Sequence, residues 1–255
     1  MSCRKIKKPI GLKEVQSVIE LICKNSQMHK KSAIKPNHMI INLDAGSGRT
    51  TLVEYITDMF EEYGILSFKS GIDDYKEFEL DGSLTQLGTV ISEIETAADY
   101  ANEFTGIIAV GVSELANPMN ERQCTEFIAK FKGICNSAFV IFFVHSKPTK
   151  NEEQFIKKLI SNIGCIDNIV VSEYTTEELC SIIEHLIEQH GISIENYDVV
   201  HKLILDIVEL YEITNVKGAI YMAKRVIKMA DFSCFKPVIS NKQLKTVLSS
   251  RKEWR

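Results

Sequence analysis

Apolar positions along the chain keep two periods, and the point where one of them stops divides it. Up to Val171, short unbroken apolar runs alternate with stretches of helical spacing; beyond Thr175 only the helical spacing remains. The runs from Met39 to Leu43, within Thr105 to Val112, from Ala138 to Val144 and from Asn168 to Val171 predict buried strands, and the brief ILSF at Ile65 predicts another. Between them, Leu52, Val53, Ile56, Met59, Phe60 and Tyr63 fall on one helical face that Gly64 ends. Ile91, Ile94 and Ala98 mark a helix from about Leu84 to Phe104, NPMNERQCTEFIAKFKG a third, and Glu152 to Ser161 a fourth. Leu12, Val15, Ile19 and Ile22 give an earlier helix of the same kind. Strands alternating with helices imply a parallel sheet covered on both faces.

The later part predicts helices only. Thr175 and Glu178 form a capping-box pattern ahead of ELCSIIEHLIEQH, and helices follow from about Tyr197 to Tyr211, Asn215 to Ala230 and Ser240 to Ser250, the last with Gln243 in the matching box place. The expected organisation is a helical lead-in over 1–36, an α/β core over 37–172 and a helical lid over 173–255.

One stretch carries the chemistry. Met39 to Tyr63 reads MIINLDAGSGRTTLVEYITDMFEEY, a strand, a glycine-rich turn and a helix. That order suits a phosphate-binding loop, whose backbone N–H groups and helix dipole face an anion. Gly48, Arg49 and Thr50 take the last three places of the pattern, with Arg for the usual Lys and Leu43 where the first glycine belongs. Arg for Lys is no neutral swap, because the guanidinium is larger, planar and forked. Binding can survive such changes, since backbone groups still hold phosphate.

Composition narrows the field modestly. The 255 residues are 45% apolar and 25% charged, with a net charge of −4, so no basic field points to nucleic acid or to a membrane surface. The seven cysteines show neither a C-x-x-C pair nor a zinc-type His spacing, and their odd number suits free thiols in a reducing cytosol. No apolar stretch is long enough to predict a membrane span. A cytoplasmic location is therefore expected.

Four stretches together resemble AAA+ ATPases, particularly the branch containing stage V sporulation protein K and the CbbX type of Rubisco activase. They are Ile10-Gly11-Leu12-Lys13-Glu14-Val15; His38-Met39 with the strand and Gly46-Ser47-Gly48-Arg49-Thr50-Thr51; Tyr174 to Leu179; and Asn215-Val216-Lys217. The resemblance implies a P-loop core with a C-terminal helical lid. It makes Ile10, Gly11, Gly46, Ser47, Gly48, Arg49, Thr50, Thr51 and Lys217 candidate nucleotide-binding residues for ATP or ADP. His145 and Ser146 become candidate sensors, and Thr50 a candidate Mg²⁺ ligand at a weakened site.

Departures fall on the reaction itself. Where the resemblance implies an Asp-Glu pair for Mg²⁺ and the attacking water, Gly111 and Val112 stand. Glu114 is the nearest carboxylate and would serve only after a slip in register; a one-residue shift along a strand turns a side chain to the wrong face, and a solvated residue past the strand end is the favoured reading. The family's interfacial arginine has no counterpart in LISNIGCIDN, and no Arg occurs between Arg122 and Arg225. Tyr75 and Phe78 occupy the place of a polypeptide-gripping pore loop without its aromatic-glycine pair, so packing aromatics are expected. The expectation is a degenerate, hydrolysis-deficient AAA+ protein serving as a structural or regulatory subunit, with protein partners in a homo- or hetero-oligomer. The alternative is an active ATPase that remodels a protein, with Glu114 as its carboxylate.

Overall fold

The computed structural model describes residues 6–28, 35–66, 75–79, 87–100, 106–112, 121–230 and 237–249. The chain divides into two compact units, residues 1–171 and 172–255.

In the first unit, five parallel strands lie in the order β2-β3-β4-β1-β5. They are β1 (His38–Asn42), β2 (Tyr75–Glu79), β3 (Ile107–Gly111), β4 (Phe139–Val144) and β5 (Ile166–Val170). Every residue of β1, β3 and β4 is buried, as their unbroken apolar sequences require of strands covered on both faces. The helices supplying that cover are α1 (Lys13–Met28), α2 (Arg49–Glu62), α3 (Leu87–Tyr100), α4 (Glu121–Ser137) and α5 (Lys150–Ile163). Successive strand residues point to opposite faces. On one face Phe142 meets Phe131 of α4 edge-on at 5.2 Å, within a cluster that also takes in α3 and α5. On the other, Phe139 meets Phe60 of α2 at 5.3 Å. Each fully buried ring of this kind contributes about 1.5–3 kcal/mol by removal from water.

The second strand differs from expectation. ILSF forms none at Ile65 and Leu66, and residues 67–68 lie outside the described residues. The strand is Tyr75–Glu79 instead, in the polar stretch that follows ILSF. It is an edge strand, pairing only with β3 in the sheet order, so Lys76 and Glu77 stay exposed while Phe78 packs on the core cluster. Phe78 is thus a packing aromatic at this edge, and Tyr75 is half-buried there. The outer ends of the helices predicted from Leu84 to Phe104 and over NPMN also lie outside the described residues.

The second unit holds α6 (Thr176–Gln189), α7 (Tyr197–Leu210), α8 (Val216–Lys228) and α9 (Asn241–Ser249) around Ile183, Ile187, Ile204, Ile207, Met222 and Leu244. Thr175 and Glu178 complete a reciprocal capping box at α6. A short parallel pair, β6 (Ser193–Ile194) with β7 (Val238–Ile239), adds to what helical spacing predicts, two residues being too few to show a period.

Candidate phosphate-binding site

Parallel strands deliver their C-terminal ends to one edge of the sheet, where open α/β folds hold ligands. The interior strand β1 ends there at Asn42, whose Nδ2 donates to the His145 carbonyl at 3.2 Å. Leu43 continues the ladder, its N–H donating to Val144 at 2.9 Å. Its φ is not positive and it is 4% exposed, so the Cβ in place of the pattern's first glycine is accommodated by packing. The turn is made by Gly46 (φ 79°) and Gly48 (φ 90°), in the left-handed region that glycine enters without strain. Gly48 caps α2 and supplies no side-chain hydrogen bond to its first turn. A 14-residue helix entered in this way turns its N-terminal donors and positive dipole end toward the loop.

Arg49 does not extend along that concavity. Its Nε donates to the Leu43 carbonyl at 2.8 Å, its guanidinium carbon lies 5.0 Å from the Phe143 ring centre, and it is 8% exposed. The side chain expected to reach phosphate is folded back beneath the loop.

Both candidate sensors are engaged by neighbours. Asp44 Oδ1 accepts from Ser146 N at 3.0 Å and Oδ2 from Ser146 Oγ at 2.6 Å, which clasps the loop to the end of β4. Burial acts to raise the Asp44 carboxyl, but these two hydrogen bonds, with the charges of His145 and Arg49, outweigh it and hold the group below its ordinary value. His145 Nδ1 lies 2.7 Å from Glu152 Oε1, and Glu152 is 1% exposed. Glu152 also accepts from Thr149 N at 2.8 Å, closing a capping box at α5.

Thr50 meets a residue that sequence reasoning passed over. Its hydroxyl donates to Glu77 Oε2 at 2.9 Å, joining α2 to β2 across 27 positions of sequence. Next to it Tyr75 donates to Glu54 at 3.3 Å. With its proton given to Glu77, the Thr50 oxygen keeps its lone pairs for a cation. At the end of β3, in contrast, positions 111 and 112 carry no ionisable group. Gly111 pairs with Phe143, and Val112 is fully buried with its N–H donating to the Phe143 carbonyl at 3.0 Å. Glu114 lies outside the described residues.

Thr51 is exposed in the first turn of α2, and Ser47 is 8% exposed with its N–H donating to the Asp44 carbonyl at 3.2 Å. Ile10 and Gly11 form the entry to α1. There Gln16 Nε2 donates to the Pro9 carbonyl at 2.8 Å and to that of Gly11, and Gly11 and Leu12 take φ of 71° and 55°. Lys217, in the second unit, is exposed in the first turn of α8, where Asn215 caps through Gly218 N at 2.8 Å.

No protein-family model matches the chain, and no curated protein matches it in sequence. Solved structures do. The Thermotoga maritima RuvB Holliday junction branch migration motor aligns with a TM-score of 0.58 at 16% identity, covering 94% of this chain and 69% of that one. A single-residue variant of the same motor aligns with a TM-score of 0.61 at 16% identity, over 98% and 73%. The chain has the AAA+ P-loop fold. At this identity the likeness is one of architecture: a parallel-sheet P-loop core in the first unit and helices in the second. Among the described residues, no helix of this AAA+-fold chain is long and apolar enough to cross a membrane.

Proposed function

We propose that the chain is a degenerate AAA+ protein that holds a nucleoside di- or triphosphate without hydrolysing it. It acts as a structural or regulatory subunit of a cytoplasmic protein assembly, in the manner of the branch containing stage V sporulation protein K and CbbX. The observation that carries this reading is the end of β3. A Gly and a buried Val at 111 and 112 can neither organise a metal nor take a proton from water.

Features that support nucleotide binding are the two glycines at positive φ and the helix entered without a side-chain cap, both suited to phosphate. Backbone donors from Gly46 to Thr51 would hold the phosphates, and Thr50, backed by Glu77, would hold Mg²⁺. That cation would supply neutralisation of phosphate charge. Protein partners, including other AAA+ subunits, fit a chain that lacks an interfacial arginine of its own, and a net charge of −4 argues against nucleic acid.

A second reading, slow hydrolysis in the service of remodelling a protein, draws on Glu77, a carboxylate placed at Thr50 from β2. Calorimetric titration of ADP and ATP with and without Mg²⁺, alongside the molecular mass in solution, tests the first reading. Binding strengthened by Mg²⁺ and weakened about tenfold or more by Thr50→Ala is expected. Absence of binding at millimolar nucleotide would overturn it.

A further inference from the structure

Away from the phosphate loop, the second unit gathers three different metal-ligating side chains at one point. Cys180 and Glu184 stand one turn apart on the same face of α6, and His201 reaches them from α7. Cys180 Sγ lies 3.5 Å from His201 Nδ1, and that nitrogen lies 2.8 Å from Glu184 Oε1. One ligand atom from each of the three lies within 4.8 Å of the others, and among the described residues no other group does this. Cys180 is fully buried and Glu184 is 4% exposed, while the His201 side chain is 29% exposed and gives a path to solvent.

From these residues we infer a zinc site, with Cys180 Sγ, Glu184 Oε1 and His201 Nδ1 as protein ligands and water in the fourth position. Thiolate, imidazole and carboxylate together suit Zn²⁺ among the common divalent ions, since Mg²⁺ and Ca²⁺ prefer sets made of oxygen alone. Ligand spacing agrees with the choice. Tetrahedral zinc with bonds of about 2.3 Å to sulfur and about 2.0 Å to nitrogen and oxygen sets S···N at about 3.6 Å and N···O at about 3.3 Å. The first is already met; the second asks Glu184 to withdraw by about half an ångström.

The outer partners are also in place. His201 Nε2 lies 3.3 Å from Glu177 Oε2, so the imidazole proton now turned toward Glu184 has an acceptor once Nδ1 gives its lone pair to the metal. Tyr197 Oη donates at 2.9 Å to Glu184 Oε2, which leaves Oε1 for the cation. Metal-bound imidazole and carboxylate groups are commonly oriented in this way. Zinc takes cysteine as its thiolate and imidazole through a free lone pair, so binding releases the Cys180 thiol proton to solvent.

The test titrates the protein with Zn²⁺, and with Co²⁺ as a spectroscopic probe. Expected are one zinc per chain, about one proton or more released per metal in buffers of different ionisation enthalpy, and a thiolate-to-cobalt charge-transfer band. Losing even an outer partner costs about 10–100-fold in metal affinity, so Cys180→Ser and His201→Gln should each weaken zinc by about 100-fold or more, and Glu177→Gln by about tenfold. His201→Gln replaces a partly exposed side chain, which keeps the test open should the buried Cys180 variant fold poorly. If the wild type binds no zinc, or if these variants bind it unchanged through other cysteines, the cluster is a hydrogen-bonded core group and the inference fails.

Discussion

Replacing Arg49 by Met tests which way this side chain works. If the guanidinium serves the loop from beneath, its loss lowers stability and leaves nucleotide affinity nearly intact. The hydrogen bond from a charged Nε to the Leu43 carbonyl, 2.8 Å long and buried, is worth about 1.5–3 kcal/mol. The guanidinium against Phe143 at 5.0 Å adds about 0.5–2 kcal/mol. Met keeps the apolar stem, so the expected cost is about 2–5 kcal/mol, or a fall of about 5–15 °C in the transition of the unit formed by residues 1–171. Thermal and urea unfolding of wild type and Arg49→Met give the first quantity, and calorimetric titration of ADP the second. An unchanged transition together with an affinity loss above about tenfold would refute the reasoning, because it would place the charge on phosphate.

Three further outcomes follow from neighbouring contacts. Glu77→Gln weakens the charged partner of Thr50 and should reduce the gain in ADP affinity that Mg²⁺ confers by about tenfold, leaving metal-free affinity unchanged; an undiminished Mg²⁺ effect would remove Glu77 from the site. His38, buried against Phe139 with Nδ1 accepting from Val140 N at 3.2 Å, is lowered from 6.5 to about 4 by burial, so below pH 6.5 the unfolded chain takes up a proton that the folded chain refuses. Wild type should therefore lose up to about 3 kcal/mol more than His38→Gln between pH 6.5 and pH 4, and parallel stability curves in urea would contradict this. Asp44→Asn loses charge-assisted bonds from Ser146 at about 1–3 kcal/mol at pH 7, and because the folded carboxyl is lowered, that difference should shrink as pH falls through its folded value; a difference independent of pH would point to packing instead.

Much of the fold is written in local pattern. AFVIFFV is apolar throughout because β4 is covered on both faces, and the turn glycines stand where backbone geometry demands them, so both are visible without coordinates. β2 escaped because an edge strand leaves residues such as Lys76 and Glu77 exposed, and YKEFE shows that polarity rather than an apolar run. Site chemistry was harder to see. Nothing near Arg49 in sequence says that it folds back onto the Leu43 carbonyl, since Phe143 arrives from β4, far along the chain. Glu77 reaches Thr50 only through the crossover that carries β2 to the sheet edge. Cys180, Glu184 and His201 form no recognisable metal spacing because two helices share them, although Cys180 and Glu184 at i and i+4 were a local signal.

The central claim is that a phosphate loop persists beside a β3 end with no carboxylate at positions 111 and 112. Single-turnover incubation of excess protein with Mg²⁺ and trace ATP labelled on the terminal phosphate measures this directly. The account predicts that the bound label is recovered as intact ATP after hours. Phosphate release that exceeds the background seen with Thr50→Ala would contradict it.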